Sequence, residues 1–107
     1  MSAISRKLRS VEGGRVMFWC PGCDGAHAIT VEDAPNRQGP IWGYNGDPER
    51  PTFTPSIFVN APGRHHNPRA PSCHSFVRDG RIQFLGDCTH ALAGQTVDLP
   101  DFDGADP

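Results

Sequence analysis

The sequence predicts a mostly β domain of short antiparallel hairpins, with one short helical turn near residues 88–93. Three observations carry that expectation. Asp79-Gly80 separates two apolar runs, and this dipeptide suits a two-residue hairpin turn because both positions take positive φ. Twelve glycines and eleven prolines among 107 residues, about a fifth of the chain, exceed ordinary usage and leave little room for long helices. The cysteines fall in short clusters, Cys20-Pro21-Gly22-Cys23, Cys73-His74 and Cys88-Thr89-His90, each at the edge of an apolar run.

Residues 1 to 15 are polar and basic and end in the turn Glu12-Gly13-Gly14-Arg15. Val16 to Trp19 then reads as a buried strand that delivers Cys20, and His27 to Val31 as its antiparallel return. Between 32 and 51 the prolines and glycines allow only a short strand at Ile41-Trp42-Gly43-Tyr44. Thr52 to Val59 is extended, with Pro55 confining it to an edge or a kink. Residues 60 to 72 form a polar loop carrying Arg64, His65, His66 and Arg69.

Across Asp79-Gly80, Val77 faces Ile82, Ser75 faces Phe84 and His74 faces Leu85. Asp87 caps the helical turn, Gly94 ends it, and Gln95 to Leu99 is a closing strand. The chain is one domain over residues 1–107, with a core from about 12 to 100 and an acidic, frayed tail over 101–107.

Two thiolates two residues apart on a Pro-Gly turn reach one tetrahedral ion, so Cys20 and Cys23 are the leading metal ligands. The other two ligands stay open on spacing alone. An all-thiolate site would add Cys73 and Cys88, and a mixed site would add His74 and His90. Alternation along a strand sends Cys73 and His74 to opposite faces, so only one of them serves a given ion. His27 reads as an exposed strand residue, and His65 and His66 as solvated loop residues. Zn²⁺ is the expected ion, and a structural zinc contributes folding energy on the order of 10 kcal/mol to a small core.

A net charge of −2 argues against general binding to nucleic acid, for which the basic loop would be the surface. No apolar run approaches the ~20 residues of a membrane-spanning helix, so no membrane partner is expected. Histidines beside two of the cysteines favour metal over disulfides and a cytoplasmic location. The HExxH, GxSxG and phosphate-loop motifs are missing. The aromatic residues Trp19, Trp42, Tyr44 and Phe53 read as core.

Phe18-Trp19-Cys20-Pro21-Gly22-Cys23, Trp42-Gly43-Tyr44-Asn45-Gly46, Pro51 to Ile57, Cys73 to Val77 and Gly86 to Gly94 together resemble a family of small proteins of tailed phages and prophages. Its members often carry an ammonia monooxygenase label that nothing in these residues supports. More distantly, the cysteine turn, Pro55-Ser56-Ile57 and His74 are similar to a metal-dependent peptidase module of bacterial ubiquitin-like conjugation operons. The resemblance implies His74 rather than Cys73, and His90 rather than Cys88, giving a zinc site of Cys20, Cys23, His74 and His90. It further implies an accessory or interaction module acting on a host or phage protein, with a structural metal. The alternative is a zinc-dependent hydrolase that keeps a metal-bound water, for which the residues offer Glu12 and Asp87 as candidate bases.

Overall fold

Strands form along the chain wherever apolar residues alternate between turn signals, and they pair with their neighbours in order. The structure, a computed structural model, describes residues 2–32, 39–64 and 66–102. Strands β1 (Ser2–Ala3), β2 (Leu8–Val11), β3 (Arg15–Cys20) and β4 (Gly25–Thr30) make one antiparallel sheet in that order. Strands β5 (Gly43–Tyr44), β6 (Phe53–Val59), β7 (Cys73–Arg78), β8 (Arg81–Phe84) and β9 (Thr96–Asp98) make a second antiparallel sheet. Among the described residues there is no helix, and none long and apolar enough to cross a membrane.

Alternation decides what each sheet buries. On β3, Val16, Phe18 and Cys20 are buried, and on β7 Cys73, Ser75 and Val77 are, with the residues between them turned outward. Together with Leu8, Ile29, Phe53, Ile57, Ile82 and Phe84, all of these but Ser75 form one apolar cluster drawn from both sheets. Phe18 stacks on Phe53 across the two sheets with ring centroids 6.1 Å apart. Leu8 is fully buried, so the core begins before residue 12 and takes in part of the basic N-terminal stretch.

The Asp79-Gly80 hairpin has the expected register, with Val77 opposite Ile82 and Ser75 opposite Phe84. Asp79 and Gly80 have φ of 50° and 74°, which a dipeptide ending in glycine adopts with least strain. The pairing of β6 with β7 is interrupted between Phe53 and Ile57, around Pro55, which has no amide to donate to a ladder.

The segment expected to be a helical turn near residues 88–93 is instead a series of hydrogen-bonded turns. The Cys88 amide donates to the Leu85 carbonyl (3.2 Å) and the Ala93 amide to the His90 carbonyl (3.3 Å). The groups a helix start would use are engaged elsewhere. The Asp87 carboxylate pairs with His74, and Thr89 exchanges two hydrogen bonds with Ser72, its amide donating to the carbonyl and its hydroxyl accepting from the amide.

The C-terminal segment stays on the core for longer than expected of a frayed tail. Leu99 is fully buried and its amide donates to the Gly80 carbonyl, while the Phe102 ring lies against Trp19 and below the Arg9 guanidinium. The rest of the acidic tail, residues 103–107, lies outside the described residues, as does His65.

The shared core makes one prediction. Phe53→Ala removes the ring that joins the two sheets and is expected to destabilise the fold by about 3–5 kcal/mol, read as a lowered urea midpoint. The exposed Ile4→Ala is expected to stay within about 0.5 kcal/mol of the parent.

Candidate functional site

Four side chains converge where the turn between β3 and β4 meets the start of β7. One ligand atom from each of Cys20, Cys23, Cys73 and His90 lies within 4.8 Å of all the others. Cys20 ends β3 on its buried side, the Pro21-Gly22 turn brings Cys23 back, and Cys73 opens β7 facing inward. The Cys23 amide donates to the Cys20 sulfur at 3.4 Å, a bond that shapes the turn around the sulfur. His90 arrives from the turns after β8 and sits directly over Gly22, where an added Cβ would come within 2.3–2.7 Å of the imidazole. Glycine is therefore required at position 22 for the ring to occupy its place.

These residues fit a metal ion. The sulfurs of Cys20 and Cys73 are 3.8 Å apart. That separation is too long for a disulfide, and all four cysteines are free. It matches the roughly 3.8 Å between two thiolates that each lie about 2.3 Å from one tetrahedral zinc ion. The His90 Nε2 is buried without a hydrogen-bond partner, an atom for which a cation would account.

Charge in the cluster is divided unevenly. The Cys20 thiol is drawn down to about 4, chiefly because it accepts a hydrogen bond from Cys73, with His27 and the Cys23 amide adding to this against the cost of burial. Cys23 is pushed up to about 12 by burial and by the negative charge on Cys20. Cys73 is pushed up by its hydrogen bond to Cys20 and then by burial. Without metal at neutral pH, the cluster is one thiolate held by two thiols.

His74 belongs to a different constellation. As the outward-facing neighbour of Cys73 it lies on the opposite side of β7, where its Nδ1 is 3.0 Å from Asp87 Oδ2 and its Nε2 is 3.0 Å from Ser56 Oγ. The Phe58 ring stacks flat on the imidazole, 4.3 Å away and 5° from parallel. Its backbone is fixed as well: the amide donates to Cys88 Sγ at 3.2 Å, and the carbonyl accepts from the Leu85 amide at 2.9 Å. A carboxylate only accepts, so in the neutral ring Nδ1 carries the proton and Nε2 is free to accept the Ser56 hydroxyl. Ser56 is placed from behind by Trp42, whose indole Nε1 donates to the Ser56 carbonyl at 3.2 Å.

The ligand set expected from the sequence is therefore corrected at one position. Cys20, Cys23 and His90 come together, but the fourth member is Cys73, because the pleat turns His74 away from the cluster. Cys88, the other alternate, is buried beside the His74 backbone and stands outside the four. Glu12 is exposed on the turn between β2 and β3, a strand's length of about 16 Å from Cys20, and has no place at either site. Asp87 does occupy a site, but as the partner of His74 and not beside the cysteine cluster. Ser56 and the positioning role of Trp42 were not singled out in the sequence. The only signal was the Pro55-Ser56-Ile57 segment in the resemblance, since a serine outside a GxSxG elbow carries no local mark.

A Ser-His-Asp chain on an all-β scaffold defines the class, the constellation of a serine hydrolase reached without any of the usual sequence motifs. The chain belongs to the family described as bacterial ubiquitination-like system serine protease (BubE), whose model matches residues 3–85. That description corrects the metal-dependent peptidase of the expected resemblance to a serine protease. The match takes in Ser56, His74, Cys20, Cys23 and Cys73 and stops just before Asp87 and His90. No curated protein and no solved structure matches the chain.

Two outcomes are expected at the cysteine cluster. Loss of Cys20, Cys23, Cys73 or His90 should abolish most metal retention in elemental analysis, and Gly22→Ala should weaken it at least about tenfold by displacing the His90 ring. Cys88→Ser should retain the metal. Because Cys23 and Cys73 are held as thiols, metal uptake near neutral pH should release about two protons, and affinity should fall as pH is lowered. Calorimetry in buffers of different ionisation enthalpy reads that number.

Proposed function

We propose that this protein is a serine peptidase in which Ser56 is the nucleophile, His74 the general base and Asp87 the group that orients and stabilises the imidazolium. The observation that carries this reading is the unbroken pair of 3.0 Å contacts from Ser56 Oγ through His74 to Asp87. The family description supports it, and polypeptides of a bacterial ubiquitination-like system are the corresponding substrates.

In the reaction, Ser56 Oγ attacks the carbonyl carbon of a peptide bond as its proton passes to His74 Nε2. The same proton then goes to the leaving amine, the C–N bond breaks and an acyl-Ser56 ester remains. Water adds to the ester with His74 again as base, releasing the acid and restoring the serine. Asp87 is half exposed, with 52% of its side chain accessible against 23% for His74, so solvent shares part of its task.

Cys20, Cys23, Cys73 and His90 would hold Zn²⁺ as a structural ion, which supplies a cross-link between the first hairpin and β7. Four protein ligands fill a tetrahedral coordination sphere, so the zinc-hydrolase alternative has no open position for a water. The expected interaction role with a host or phage protein becomes, in this reading, an encounter between the enzyme and its protein substrate.

A fluorophosphonate is expected to label the protein at Ser56, located by peptide mapping. Ser56→Ala should abolish labelling and lower peptide hydrolysis on the order of 10⁴-fold or more, with metal content unchanged. His74→Ala should do nearly the same, and Asp87→Asn should cost about 10²-fold or more, less than a fully buried carboxylate would. Hydrolysis that survives Ser56→Ala and disappears with the metal, in protein that remains folded, would overturn the reading.

A further inference from the structure

A line of chain that starts between the two sheets is left unfinished beside Ser56. The Trp42 amide donates to the Thr30 carbonyl at 2.9 Å and the Trp42 carbonyl accepts from the Glu32 amide at 3.1 Å, so this residue lies against the outer edge of β4. β5 then crosses to β6 and pairs there with Phe53 and Thr54 alone. Beyond Trp42 on the same line, a groove of about 350 Å³ runs between the edges of β4 and β6, lined by Ala26, Ala28, Ile57, Phe58 and Val59 among others. Ile57, the residue after Ser56, and Trp42, whose indole holds the Ser56 carbonyl, both line it.

The register fixes which backbone groups face this groove. The Thr30 carbonyl turns away from β3 towards Trp42, so the alternation of an antiparallel ladder turns Ala28 and Ala26 the same way. On the other wall, His74 uses both its amide and its carbonyl on the β8 side of β7. Phe58 and His74 are thus opposite one another without exchanging hydrogen bonds, and the Phe58 amide and carbonyl face outward. Among the described residues no strand pairs with these stretches of edge. An open edge of this kind is a template for another strand, and here two edges flank one slot.

We propose that the groove is a substrate subsite that takes an extended polypeptide as an added strand, hydrogen-bonded to Phe58 on one wall and to Ala28 on the other, and so presents a peptide bond to Ser56. This rests on the serine-peptidase reading and adds the conformation of the substrate and the surface that selects it. No Asp, Glu, Lys or Arg lines the groove, which disfavours a charged small molecule, and both walls offer backbone donors and acceptors at the spacing a peptide repeats. Ala26 and Ala28 are small and exposed, which leaves room beside the β4 edge for apolar substrate side chains.

The test uses a mixture of acetyl-capped hexapeptide amides and the same mixture with alternate amides N-methylated. Methylation is expected to lower hydrolysis at least tenfold, because the strand loses its donors. Ala28→Pro removes an amide that faces away from β3, which leaves the β3–β4 ladder intact. It should raise KM at least tenfold, while fluorophosphonate labelling of Ser56 stays within about twofold of the parent and reports an intact triad. In Ser56→Ala, saturation with the unmethylated mixture should slow amide hydrogen exchange at Phe58 and Ala28 about tenfold. An unchanged KM in labelled Ala28→Pro, equal hydrolysis of both mixtures, or slowed exchange confined to other strands would overturn the subsite. If the parent protein fails to label, the peptidase reading falls, and the exchange measurement still decides whether the groove takes a strand.

Discussion

The pleat of β7 is the constraint from which both sites follow. Consecutive residues on a strand must face opposite ways, so Cys73 enters the core and His74 leaves it. One residue closes the cysteine cluster and the next joins Ser56 to Asp87. A slip of one residue in the pairing of β7 would exchange the two side chains and dismantle both arrangements together. The Asp79-Gly80 turn and the buried Val77 and Ile82 hold that register, so the ordinary physics of a hairpin sets the geometry of the chemistry.

The cysteine cluster explains how a loop-rich chain can support so exact a site. Cys20 ends a strand of one sheet and Cys23 sits in the turn that follows it, Cys73 belongs to the other sheet, and His90 to the turns that also carry Asp87. An ion held by all four would bind the first sheet, the entry of β7 and the 86–95 segment to one point, limiting the freedom of the carboxylate that faces His74. Cys88 contributes in another way, by occupying the His74 backbone with its sulfur. The cysteine cluster and the Ser56-His74-Asp87 chain are therefore neighbours through the backbone while pointing to different environments, one dry and rich in sulfur, the other open to solvent.

Aromatic residues finish the outward site. Phe58 lies flat on the imidazole and restricts its rotation, and Trp42 holds the carbonyl of Ser56 from the β4 side. Both side chains stand beside stretches of sheet edge with which no strand pairs among the described residues. Edges are ordinarily protected in soluble proteins because they invite pairing. An unpaired edge beside Ser56 suits the strand-capturing subsite proposed above.

Local signals in the sequence determined a good part of this protein: the β class, the Asp79-Gly80 register, the cysteine turn at 20–23, and the fact that Cys73 and His74 cannot serve the same centre. These depend on residues a few positions apart, where dihedral preference and alternation act directly. Which of the two neighbours faces the cysteines could not be read that way, because it depends on which face of β7 meets β3, a matter of packing between sheets. The same holds for Asp87, whose carboxylate suits a helix cap locally and is drawn to His74 only once the turns after β8 fold back. Ser56, His74 and Asp87 come from three separate segments with no fixed spacing, so tertiary structure alone could assemble them.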